Sequence, residues 1–164
     1  LIPMLAGMLV AGVLGLGGGG AAAVEARLTT ASLMVPAGAF VPTEDWDYFN
    51  YGQYIATASG TATFTAPLIF PVPVVNIKKV TIYAYDNTGG ISVCTWVYRL
   101  RPLDAAEDYV ASICTADSTA SPQVRFAEAT GPRRVNGATQ SAYLWVYLDG
   151  PGIKLYGVRV NYSY

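Results

Sequence analysis

The sequence predicts a mainly β protein: a jelly-roll or β-sandwich head of about eight antiparallel strands, preceded by an N-terminal hydrophobic helical stem. Three observations carry that expectation. The stretch from Leu1 to Val24 contains no charged residue. Beyond about residue 35, apolar and polar residues alternate with period two, as in VTIYAYD, where Val80, Ile82 and Ala84 oppose Thr81, Tyr83 and Tyr85. Turn-forming Gly, Pro, Asn and Asp recur about every ten residues, and no helical period intervenes.

The composition of the 164 residues narrows the function classes. Charged residues make up 13% and hydrophobic ones 52%, which is low in charge for a soluble domain. Twelve tyrosines supply polarity without charge, and the net charge of −1 gives no footprint for nucleic acid. Such a surface suits an extracellular or self-associating protein.

The opening segment, residues 1–34, is expected to be a unit of its own, with residues 35–164 forming the head. Twenty-four residues of helix reach about 36 Å, enough to cross a hydrocarbon core of about 30 Å. Ala21-Ala22-Ala23 would suit signal cleavage, but the basic start of a secretory signal is missing. The segment is therefore expected to be retained. A helix is expected from Pro3 to Leu16, a loosened passage at Gly17–Gly20, and a short second helix within residues 21–33. Small residues at Gly7 and Gly12, set among Leu5, Leu9, Leu14 and Leu16, let helix backbones approach one another.

A chain that opens directly on an uncharged apolar helix and continues into a β-rich head resembles the type IV pilin-like filament subunits. Pro3 is similar to the early proline of archaeal members. Position 5 is Leu5, where bacterial members carry an acidic residue, and the first carboxylate is Glu25. The resemblance implies stems bundled in a filament core, heads facing solvent, copies of the same chain as partners, and residence in a membrane before assembly.

Within the head, residues 79–86 and 91–100 are expected to form a hairpin across DNTGG, whose residues accept positive φ. A second pair, within residues 142–164, turns at Asp149-Gly150-Pro151-Gly152. Further strands are expected at 51–57, 60–66, 108–114 and 122–128. Pro67, Pro71 and Pro73 mark a linking passage excluded from central strands.

Cys94 and Cys114 lie on two expected strands with nineteen residues between them. Neighbouring antiparallel strands would bring them within bonding range, and a disulfide is favoured over two buried thiols in an exported protein.

Catalytic chemistry is not expected, nor is a cofactor. Histidine is absent, which removes the commonest general base and transition-metal ligand. Phosphate-loop, dinucleotide and nucleophile-elbow motifs are missing. Glu44, Asp45 and Asp47, and Asp104, Glu107 and Asp108, are the only carboxylate clusters. Neither has calcium-loop spacing, and solvated loops are the expected setting.

Aromatic residues raise a second function class. Trp46, Tyr48, Phe49, Tyr51 and Tyr54 crowd one passage, and Tyr143, Trp145 and Tyr147 line one face of a strand. Exposed rows of this kind stack against sugar rings, while buried rings serve a core or a subunit contact. The sequence thus favours an extracellular, cell-surface filament subunit. The alternative is a membrane-anchored β-sandwich that binds a partner, with a glycan the candidate.

Overall fold

The structure, a computed structural model, describes residues 28–87, 93–115 and 119–164. Two antiparallel sheets face each other as a β-sandwich. The strands are β1 (Thr30–Pro36), β2 (Val41–Pro42), β3 (Tyr48–Asn50), β4 (Ile55–Thr57), β5 (Thr61–Leu68), β6 (Val74–Asp86), β7 (Val93–Arg101), β8 (Ala106–Cys114), β9 (Thr119–Glu128), β10 (Arg134–Asn136), β11 (Ser141–Asp149) and β12 (Lys154–Ser163). A 3₁₀ turn at Ala37–Ala39 is the helical element among the described residues.

The seven-stranded sheet is centred on β6 and β12. Strands β9 and β10 pair along one edge of β6, while β1 and β4 pair along the far edge of β12 and β3 continues beyond β4. The five-stranded sheet runs β2-β5-β11-β7-β8.

Period-two alternation fixes which residues meet between the sheets. From β6 come Val75, Ile77, Val80, Ile82 and Ala84; from β12, Leu155, Val158 and Val160. Opposite them lie Phe64 of β5, Val97 of β7, and Leu144, Val146 and Leu148 of β11. All of these side chains are fully or almost fully buried.

Several expectations from sequence need correction. Neither expected strand pair is a hairpin. β6 belongs to the seven-stranded sheet and β7 to the five-stranded one, and β11 and β12 are divided in the same way. Both connections cross from one sheet to the other. Turn residues dictate chain reversal, but not whether the returning strand pairs beside its predecessor or arches over the core to face it. Either solution buries the same apolar face. Consecutive strands do pair at β7–β8 and at β3–β4.

The described residues form twelve strands rather than about eight. Of the expected strand 51–57 only Ile55–Thr57 is extended, as β4; the residues before it form the turn from β3. Pro67 lies inside β5, opposite Tyr143 of β11. It is tolerated there because β2 pairs only with Phe64 and Thr65, so the flank of β5 beside Pro67 has no partner strand to receive an N–H.

The stem residues Leu5, Gly7, Leu9, Gly12, Leu14 and Leu16 lie outside the described residues, as does the DNTGG turn from Thr88 on. Residues 30–34, assigned to the N-terminal segment and partly to a second helix, are extended instead. Thr30 to Met34 pair with Ser163 to Arg159 of β12. Leu33 and Val35 alternate with Ser32 and Met34, a strand pattern too short to stand out beside the apolar run before it.

Candidate functional site

The side chains that face away from the core on the five-stranded sheet are largely aromatic. On β11 the outward positions are Tyr143, Trp145 and Tyr147, alternating with buried Ala142, Leu144, Val146 and Leu148. Register sets Tyr98 of β7 opposite Tyr143 and Trp96 opposite Trp145. On β8, Tyr109 stands opposite Tyr98.

Six rings thus form one platform across three adjacent strands. Tyr98 and Tyr143 stack with centroids 5.5 Å apart and planes 26° from parallel. Trp96 and Trp145 meet at 4.8 Å with a 60° tilt. Tyr109 closes edge-on against Tyr98 at 6.4 Å. A β-bulge between Val97 and Tyr98 shifts the β7–β8 register, which is what returns Tyr109, rather than Val110, to the outer face. Each ring except exposed Tyr109 is half-buried by its neighbours. Mutual packing limits rotamer freedom, so the platform is ordered before anything lands on it.

The border of the platform is hydroxylic and mildly acidic. Thr63, Thr65 and Pro67 of β5 lie opposite Tyr147, Trp145 and Tyr143. The Tyr109 hydroxyl lies 3.0 Å from Ser112 Oγ, and the Tyr147 hydroxyl donates to Asp149 Oδ1 at 2.9 Å. Burial, together with nearby Glu107 and Tyr109, pushes the Tyr98 phenol above its ordinary pKa. The hydrogen bond to Asp149 does the same for Tyr147. Both phenols therefore stay neutral through ordinary pH. No lysine or arginine occupies an outward register position on β11, β7 or β8 beside these rings.

Cys94 and Cys114 sit directly opposite each other at one end of this face and are joined as a disulfide, with Cα atoms 4.0 Å apart. Cys94 also lies opposite Tyr147. The bond ties β7 to β8 beneath the edge of the platform.

The other aromatic candidates are placed elsewhere. Trp46 and Tyr48 pack against the core, Tyr48 meeting Phe64 edge-on at 5.2 Å. Tyr51 is exposed, with Tyr54 at 4.8 Å, at the margin of the seven-stranded sheet. The structure therefore brings together Tyr143, Trp145 and Tyr147, and separates them from Trp46, Tyr48 and Tyr51. Sequence reasoning missed Trp96, Tyr98 and Tyr109. The signal for the first two was present: ISVCTWVYRL carries the same alternation as VTIYAYD.

The carboxylate clusters fall into two kinds. Glu44, Asp45 and Asp47 are exposed on the β2–β3 connection. Asp108 accepts hydrogen bonds from Arg99 Nε at 3.0 Å and Nη2 at 2.6 Å, and Arg101 reaches both Asp108 and Asp104. The Arg99 hydrogen bonds hold the Asp108 carboxyl below its usual pKa. Arg99 Nη1 also donates to the carbonyl of Arg134 at 2.8 Å, linking the two sheets. This group is built as a structural tie. Among the described residues, no group of three His, Cys, Asp or Glu side chains is arranged to hold a metal ion.

No protein-family model matches the sequence, and no curated protein matches it. The fold, however, is similar to solved structures. One is the C-terminal family 6 carbohydrate-binding module of a marine laminarinase from Zobellia galactanivorans. That match has a TM-score of 0.51 at 8% identity, covering 79% of this chain and 98% of the module. Another is a family 36 module of a multidomain xylanase from the hindgut metagenome of Trinervitermes trinervoides, with a TM-score of 0.47 at 10% identity over 80% of this chain and 96% of that one. At such identities the first match speaks for the fold alone, a two-sheet β-sandwich. It overturns the resemblance to type IV pilin-like subunits: the described residues share their architecture with a carbohydrate-binding module.

Proposed function

We propose that this protein is a glycan-binding β-sandwich that takes a neutral polysaccharide on the outer face of its five-stranded sheet. The observation that carries the reading is the six-ring platform of Trp96, Tyr98, Tyr109, Tyr143, Trp145 and Tyr147. A sugar ring presents an apolar C–H face and a polar hydroxyl rim. The platform offers ring faces for the first, and the hydroxyls of Thr63, Thr65 and Ser112 with the Asp149 and Glu107 carboxylates for the second. Among the described residues, the outward positions of β11, β7 and β8 beside the rings carry no cation, which favours an uncharged chain. Likeness in fold to a module of a laminarinase supports the same reading.

Binding rather than catalysis is the role of this surface. It replaces the filament-subunit reading, which rested on the N-terminal segment and on a resemblance the fold does not share. Display outside the cell follows from the disulfide, which persists in oxidising surroundings. In this reading the apolar segment ahead of β1 attaches the sandwich to a membrane.

The test is affinity electrophoresis through gels containing soluble β-glucan, xylan or mannan. Retardation in at least one of these, lost in Trp145→Ala with the fold intact by circular dichroism, is the expected result. Migration of the parent protein unchanged in every neutral polysaccharide refutes the reading.

A further inference from the structure

The outer face of the seven-stranded sheet is also aromatic, but its charge is opposite. Its outward positions include Tyr83 and Tyr85 of β6, Phe126 of β9, and Lys154 and Arg159 of β12. Tyr156, outward like Lys154 on β12, lines a groove of about 300 Å³ with Tyr83, Pro122, Gln123 and Val124. Tyr54 approaches Tyr156 edge-on at 6.1 Å from the sheet margin.

Cations rest on these rings. Lys154 Nζ lies 4.8 Å from the centroid of Tyr54 and 5.4 Å from that of Tyr85. The Arg159 guanidinium lies 5.3 Å from Tyr83, and Lys79 Nζ 4.6 Å from Phe126. None of these three cations is ion-paired to another described residue, in contrast to Arg99 and Arg101 on the other sheet. Glu128 stands opposite Lys79 in register, while Asp86, next to the Tyr85 that faces Lys154, is fully buried and accepts a hydrogen bond from Thr115 Oγ1. A ring beneath an ammonium or guanidinium holds its position but does not cancel its charge, and most of its donors stay free. Five residue steps along β12 lead from Lys154 to Arg159, about 16 Å of strand. The groove floored by Tyr83 and Tyr156 lies between them.

We infer that this face is a second, separate binding site, for an acidic polysaccharide whose sugar rings lie in the Tyr83–Tyr156 groove while its carboxylates or sulfates meet Lys154 and Arg159. Apolar ring faces interleaved with spaced, unpaired cations match a chain that alternates apolar sugar faces with fixed anions. The inference stands on its own face and does not depend on the platform of the five-stranded sheet. A protein of net charge −1 with three such cations is too weakly basic for the dense phosphate line of a nucleic acid.

Affinity electrophoresis of the whole chain in dextran sulfate, polygalacturonate and uncharged dextran tests it, the first two separating sulfate from carboxylate recognition. Retardation in at least one acidic gel, absent in uncharged dextran and suppressed by salt, is expected. Lys154→Gln with Arg159→Gln should weaken that binding about tenfold or more while leaving neutral-glycan binding on the platform unchanged. Arg159→Lys, which keeps the charge, should retain it. Three results overturn the inference: no retardation of the parent in either acidic gel, equal retardation of the folded double variant, or tighter binding to a single-stranded oligonucleotide than to both acidic polysaccharides.

Discussion

Tyr98 and Tyr143 are more than forty positions apart in sequence, yet they stack within 26° of parallel at 5.5 Å across the β7–β11 pair. The stack forms one end of the platform, beside the Trp96–Trp145 pair, with Tyr109 leaning on its outer side. Tyr143→Ala should cost about 0.5–1.5 kcal/mol of stability from the lost ring pair, and neutral-glycan affinity at least tenfold. Chemical denaturation and affinity electrophoresis on one preparation separate the two effects. Unchanged glycan affinity would remove this stack from the site.

The platform should be insensitive to pH over a wide range. Tyr98 and Tyr147 both have phenols raised above the ordinary 10.0, the first by burial and the second by its hydrogen bond to Asp149. Neither ring acquires charge before ordinary tyrosines do. Glycan affinity followed from about pH 6 to 9 should be flat, and a transition inside that window would point to a different group.

Asp108 governs the acid side. Its folded pKa lies below the ordinary 3.8, chiefly through the Arg99 hydrogen bonds. A depressed carboxyl contributes stability above its unfolded pKa and loses it as pH falls through the folded one. The thermal midpoint should therefore decline on acidification below about pH 4, and Asp108→Asn should flatten that decline. The comparison is read from melting curves across an acid series.

Reducing the Cys94–Cys114 bond, which closes a sequence separation of 20, should lower stability by about 3 kcal/mol on the chain-entropy account. Denaturant titration with and without reductant measures this. The sandwich core remains, so the reduced protein should still unfold in one cooperative step.

Gly131 donates its N–H to the carbonyl of Val110 at 2.9 Å, where the chain leaving β9 crosses β8. A Cβ at this position would overlap the carbonyl oxygen of Tyr109. Gly131→Ala should destabilise by about 1–3 kcal/mol through that overpacking. It should also disturb Tyr109, so that tyrosine fluorescence or an amide spectrum reports movement at the platform edge.

What could be read from the chain, and what could not, follows the range of the interactions. Tyr143, Trp145 and Tyr147 were legible as one face because alternation is local. Their neighbours Trp96, Tyr98 and Tyr109 alternate too, but placing them beside β11 needs the strand order. That order is set by burial between distant segments. The crowding of Trp46, Tyr48 and Tyr51 was misleading, since closeness in sequence does not decide which way a ring faces; Tyr48 turns inward to Phe64 and Tyr51 outward. The two expected strand pairs failed for one reason. Asp-Asn and Asp149-Gly150 reverse the chain, but only the core decides which sheet receives the next strand.

The arrangement of β12 has a kinetic consequence. This strand pairs with β6 on one side and with β1 and β4 on the other, and so fills the centre of its sheet. It is also the last strand in chain order. During synthesis, β1, β4 and β6 therefore wait without the partner that joins them, their inner apolar faces uncovered, until residues 154–163 leave the ribosome. Sheet closure over such sequence distances is slow, and the waiting chain is open to misassociation. A chain stalled just before Lys154 should thus be held by chaperones rather than accumulate as a partly folded sandwich.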